Sequence, residues 1–101
     1  MKFLINISTD SELIGYEAIA LAFTLASFDH QVQLYFDGGS HHLLTDDTSR
    51  LYGMVQSLAL YDLPPAWHGF TPEVLATFDA KILAVFGEKT ADDTAETVLN
   101  F

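Results

Sequence analysis

Two short β-rich runs separated by one long apolar helical pattern constrain this chain more than any other feature. Residues 2–8 (KFLINIS) read as a strand and lead into Thr9-Asp10-Ser11-Glu12, where Thr9 and Glu12 have capping-box spacing and predict a helix start. From there Leu13, Ile14, Ala18, Leu21, Ala22, Leu25 and Phe28 recur at helical spacing, and Ile19, Phe23 and Ala26 widen the apolar arc almost around the helix. Such a helix is expected to be buried on two sides. Residues 31–36 (QVQLYF) alternate at first and then turn fully apolar, as a strand entering a covered parallel sheet does.

The same alternation continues. Asp37-Gly38-Gly39-Ser40 ends the second strand, and a loop with His41, His42, Leu43 and Leu44 leads to Asp46 or Asp47, either of which can cap a helix over residues 48–59. Leu51, Met54, Val55 and Leu58 would form its inner face. LYDLPP at residues 60–65 breaks that helix, and Ala66-Trp67-His68 is left as a short extended piece. Thr71 and Pro72 have the cap and first-turn chemistry of a third helix. Residues 81–86 (KILAVF) look like the clearest buried strand, residues 90–96 can make one or two helical turns, and residues 97–101 (TVLNF) read as a terminal strand. Strands alternating with helices predict one domain over residues 1–101, a three-layer α/β/α arrangement around a mostly parallel sheet of about five strands.

Charge and composition exclude several functions. Lys and Arg number 4 against 14 Asp and Glu, a net charge of −10, and Lys2, Arg50, Lys81 and Lys89 are scattered along the chain. Phosphate neutralisation supplies most non-specific nucleic-acid affinity, so neither direct nucleic-acid binding nor attachment to an anionic membrane is expected. Half of the 101 residues are hydrophobic, more apolar material than so small a core readily hides, which favours an oligomer. The chain has no cysteine, so disulfides, thiolate metal sites and thiol-based chemistry are ruled out. The amino-terminal run reads as a strand and not a signal peptide, and the apolar stretch at residues 13–28 is shorter than the roughly 20 residues needed to cross a bilayer. The cytoplasm is the expected location.

Asp37, Gly38 and Gly39 stand at the end of a strand, where open α/β sheets place ligands, and with His42 they form a candidate ligand loop. Their spacing matches neither a dinucleotide fingerprint nor a phosphate-binding loop, and an ordinary turn is the competing reading. His41 and His42 are adjacent, so on a regular element they would point apart, and neither has a second histidine at a metal-binding spacing. His68 with Asp62 has the composition of a general base and its partner, without a recognisable nucleophile beside it. Trp67, the only tryptophan, is either a core residue or an anchor of a subunit contact. No cofactor or metal is expected.

FDGGSHHLL after the second strand, LALYDLPPAW after the second helix and the terminal TVLNF together resemble the DsrE/DsrF/DsrH family of sulfur-relay proteins, and within it the TusC (DsrF-like) branch. The resemblance runs over nearly the whole chain. It implies a compact α/β fold assembled into a hetero-oligomer, in which a DsrE- or TusD-like subunit bears the cysteine that accepts persulfide sulfur, with a DsrH- or TusB-like subunit beside it. Sulfur then passes toward 2-thiolation of the tRNA wobble uridine or into sulfur oxidation. The family's cysteine falls shortly after the strand that here is Ala66-Trp67-His68, which makes Gly69 the approximate match. The resemblance therefore implies a non-catalytic subunit, with Tyr61, Trp67, His68 and Gly69 at or beside a subunit interface. A homo-oligomeric small-ligand-binding module of the same fold, using the Asp37–His42 loop, is the alternative.

Overall fold

A computed structural model describes residues 2–88 and 95–101. Strand β1 (Lys2–Ile7) is followed by helix α1 (Glu12–Ser27), strand β2 (Gln31–Phe36), a 3-10 turn over Gly38–Leu44 and helix α2 (Arg50–Gln56). A second 3-10 turn, Leu58–Tyr61, leads to strand β3 (Trp67–His68), short helices α3 (Pro72–Leu75) and α4 (Ala80–Leu83), and strand β4 (Thr97–Asn100). The four strands form one sheet in the order β3-β2-β1-β4, and every pairing is parallel. Parallel neighbours need crossover connections, and α1 and α2 fill the first two.

The caps show why the helices start where they do. Ser11, not Thr9, caps α1: its hydroxyl accepts from the Ile14 N–H, while Thr9 Oγ1 accepts from the Ser11 N–H. The expected Thr9–Glu12 box is thus displaced by two residues. Ser49 caps α2 in the same way, accepting from Tyr52 N, so the helix begins after Asp46 and Asp47, and Asp46 instead closes a local turn through Thr48. α2 also stops at Gln56 and tightens into the 3-10 turn, which ends on Asp62 in the left-handed region at φ 63°. Thr71 and Pro72 open α3 as expected.

The main departure is at residues 81–86, which do not form the expected strand. Asp79 Oδ1 accepts from the N–H groups of Lys81 and Ile82 and nucleates α4, in which only Ile82 is buried. Phe86 alone keeps strand-like company, through one parallel bridge to Ala66. The described sheet consequently has four strands where about five were expected. The helical turns expected at residues 90–96 fall almost wholly outside the described residues.

Paired residues in a parallel ladder share a face, so Ile5, Ile7, Leu34 and Phe36 look the same way. They meet Ala18, Ile19 and Ala22 of α1, Leu43 and Leu44 of the first 3-10 turn, Leu51 and Val55 of α2 and Ile82 of α4 in one buried cluster. The other face presents Leu4, Asn6, Gln33, Tyr35, Trp67, Val98 and Asn100, and no described helix adds a buried side chain to it. α1 is therefore covered on one side and not two, with Leu13 68% and Phe28 70% exposed. No described helix is long and apolar enough to cross a membrane.

Candidate functional site

Because all four strands run the same way, their carboxyl ends collect at one edge of the sheet, the position where parallel α/β proteins bind ligands. The ladder extends past the strand ends there: Asp37 N–H donates to Ile7 O at 3.1 Å and Gly69 N–H to Phe36 O at 2.9 Å. Asp37, Gly38, Gly39, His68 and Gly69 are thereby brought to one edge. Sequence reading placed the first three and the last two in separate proposals.

Gly38 adopts φ +55°, which favours glycine, and a Cβ on Gly39 would lie 3.3 Å from both Ser8 O and Asp10 Cβ. These two glycines let the chain cross close over the end of β1. The loop also uses its own polar groups: Gly39 N–H donates to Ser8 O at 3.0 Å, and the buried Ser40 donates both N–H and Oγ–H to Asp37 O. The Gly39 and Ser40 amides are thus tied to backbone carbonyls and do not point together at an anion. The 3-10 turn also corrects the expectation that His41 and His42 point apart, since it brings their ring centroids within 4.0 Å. His41 Nδ1 faces the Gly38 carbonyl at 2.9 Å and must be the protonated nitrogen, because a carbonyl can only accept. His42 lines a shallow cavity of about 180 Å³ with Asp10, Glu12, Asp46 and Ser49. Among the described residues no group of three or more His, Asp or Glu is arranged to hold a metal ion.

His68 is committed to a structural role. Its Nδ1 accepts from the Phe70 N–H at 3.2 Å, which puts the proton of the neutral ring on Nε2. The ring stacks on Phe70 and stands edge-on to Phe86, with centroids 5.7 and 4.9 Å away. Asp62 lies at the opposite end of the sheet, lining a cavity with Lys2, His30, Gln31 and Pro64. The His68–Asp62 pair of a hydrolase is therefore not assembled.

The four residues expected to form one interface are also dispersed. Tyr61 is 52% exposed and stacks on Phe23 of α1, with centroids 4.2 Å apart. Trp67 points to the sheet face opposite the core cluster and is only 7% exposed, so its ring is enclosed by its own chain. His68 belongs to the aromatic cluster just described. At Gly69 a Cβ would lie 2.3 Å from Tyr35 Oη and 3.5 Å from Asp37 Cβ, so the end of β3 is closed to any side chain unless Tyr35 moves.

Two arrangements escaped sequence reading. Phe70 and Phe86 pack on His68, Phe78 packs on both phenylalanines, and the His41 ring is 6.2 Å from that of Phe70. The crowding of phenylalanines between residues 70 and 86 was the available signal. Asp79, besides capping α4, accepts a short hydrogen bond from the Tyr52 hydroxyl of α2 through Oδ2. That bond raises the Tyr52 hydroxyl to about 12 and holds the Asp79 carboxyl below its ordinary value. No family model, curated protein or solved structure matches this chain.

Proposed function

We propose that this chain is a non-catalytic subunit of a sulfur-relay complex of the DsrE/DsrF/DsrH type, closest to the TusC branch, with the three-layer fold of that family. In this reading it assembles with a cysteine-bearing DsrE- or TusD-like subunit and a DsrH- or TusB-like subunit in the cytoplasm. It supports persulfide transfer by the former, toward 2-thiouridine formation in tRNA, and has no enzymatic step of its own. One observation carries the reading. By that resemblance Gly69 is the approximate match to the family's cysteine; it stands at the carboxyl edge of a parallel sheet, where Tyr35 Oη occupies the space that even a Cβ would need. A chain without a single cysteine cannot accept persulfide sulfur at that edge, so its contribution is contact with a subunit that can. The alternative of a small-ligand module draws less support, because the Asp37–His42 loop bonds to its own backbone.

The test has two arms. Incubated with a persulfide-loaded cysteine desulfurase, the chain should gain no mass by intact-protein mass spectrometry. Co-expressed with cysteine-bearing DsrE-like and DsrH-like subunits, it should co-purify with them, and omitting it should slow sulfur transfer to the cysteine. A covalent gain of sulfur on this chain, or no complex with either subunit, overturns the reading.

A further inference from the structure

Gln33 is a polar side chain that the fold buries almost completely, 6% exposed on the sheet face away from the main core. Its Nε2 donates to Leu34 O at 3.0 Å and to Pro65 O at 2.9 Å, so both amide hydrogens are used and two carbonyls fix which way the amide lies. Its Oε1 accepts no hydrogen bond from any of the described residues. Buried acceptors in folded proteins nearly always have a donor, and one left over on a residue that lines a cavity points to a donor supplied from outside the chain.

That cavity has a volume of about 300 Å³ and lies at the amino end of the sheet, where Lys2, His30, Gln31, Asp62 and Pro64 join Gln33 in its walls. Lys2 pairs with Gln31 in the ladder and Leu4 with Gln33, so Lys2, Gln31 and Gln33 share one face of the sheet. With strands about 4.8 Å apart and a rise of about 3.3 Å per residue, the Cα atoms of Lys2 and Gln33 stand about 8 Å from each other. Their side chains can therefore reach the two ends of one small molecule. The His30 ring is held edge-on to Phe3, with centroids 5.4 Å apart. Asp62 is exposed and takes the left-handed conformation at φ 63°, fixed by its N–H against the carbonyls of Leu58 and Ala59. Its carboxylate has no hydrogen bond or ion pair among the described residues.

We propose that this cavity binds a free amino acid in its zwitterionic form, with the ammonium held by Gln33 Oε1 and the Asp62 carboxylate and the ligand's carboxylate held by the Lys2 ammonium. The charges of the lining set that choice. A simple amine would meet the two acceptors but bring a second cation to Lys2. A simple carboxylate would meet Lys2 but face Asp62 within the field of a chain of net charge −10. A zwitterion presents each charge to its opposite and adds no net charge. The Lys2 ammonium has three donors, so one can hold a carboxylate while the others keep the contacts the lysine already makes. The volume stands at the small end of the range of ligand sites, which suits a molecule of amino-acid size. Because Leu34 and Pro65 pin the Gln33 amide, its acceptor is in place before the ligand arrives, and little ordering cost falls on binding.

The site lies at the end of the sheet opposite Gly69, apart from the contacts that the sulfur-relay reading requires. Heteronuclear NMR of the full chain, titrated with each standard L-amino acid to about 10 mM, reads binding at the Gln33 side-chain amide and at the backbone amides of His30, Gln31 and Asp62. At least one amino acid should shift these signals saturably, with a Kd of about 1 mM or below. Methylamine and acetate, each with half of the charge pattern, should bind at least about tenfold more weakly. Asp62→Asn tolerates the left-handed backbone and removes only the charge, and Lys2→Met removes the cation at the start of β1. Each should raise the Kd about tenfold and leave the amide spectrum away from the cavity unchanged. Saturation by no amino acid, equal binding of methylamine or acetate, or a Kd that moves less than about threefold in both variants overturns the proposal.

Discussion

Replacing Trp67 by alanine separates an enclosed ring from an interface anchor. The side chain is 7% exposed, lies on the sheet face away from the main core, and has only about 20 Å³ of free space beside it, between Lys2, Leu4, Gln33 and Ala95. An indole of this kind buries about 200 Å², which at about 25 cal/mol per Å² gives about 5 kcal/mol as an upper figure for its removal. Strand β3 is two residues long and stands at the sheet edge, so partial collapse around the gap brings the expected cost to about 3 kcal/mol, the lower end of the range for such truncations. With a urea m-value of about 1.5 kcal/mol per M, the unfolding midpoint should fall by roughly 2 M. The variant loses the only tryptophan, so far-ultraviolet circular dichroism and not fluorescence should follow the transition. Trp67→Phe should recover more than half of the loss. A cost below about 1 kcal/mol for Trp67→Ala, together with weakened binding to a cysteine-bearing partner subunit, would refute the enclosure argument and restore Trp67 as a contact residue.

Gly53 stands within α2 with nothing within 4 Å of where a Cβ would be, so Gly53→Ala should stabilise the protein by about 0.5–1 kcal/mol in urea unfolding. Gly15→Ala is the contrasting case: its Cβ would press to 2.7 Å on Leu43 and 2.9 Å on Leu51, so the same substitution in α1 should destabilise. Tyrosinate absorbance should show one of the four tyrosines ionising near pH 12, and Asp79→Asn should return it toward the ordinary value near 10. The raised Tyr52 contributes stability that is intact below about pH 10 and lost as pH climbs from there to about 12. The depressed Asp79 contributes stability that is intact above about pH 4 and lost as pH falls through its folded value. Both losses should be absent in pH-dependent unfolding of Asp79→Asn.

The alternation in QVQLYF, the helical spacing from Leu13 onward and the Thr71-Pro72 start of α3 could all be read in advance, because each is dictated within a few residues by sterics and capping. The same holds for the short strand at Trp67–His68, set between Pro65 and Gly69, and for the strand at Thr97–Asn100. The lack of cysteine likewise rules out thiol chemistry on this chain. KILAVF shows where local reading ends: a short apolar run suits a buried strand or a buried helix equally well. The choice fell to the Asp79 carboxylate, which satisfies two amides of α4 and the Tyr52 hydroxyl at once. Only the tertiary structure ordered the sheet β3-β2-β1-β4, gathered Asp37 and Gly69 at its carboxyl edge, and sent Tyr61 and Asp62 to other parts of the surface. It also turned Trp67 inward and left the outer side of α1 bare. Those outcomes depend on which surfaces meet across long sequence separations, and a periodicity specifies that a face is apolar without specifying what will cover it.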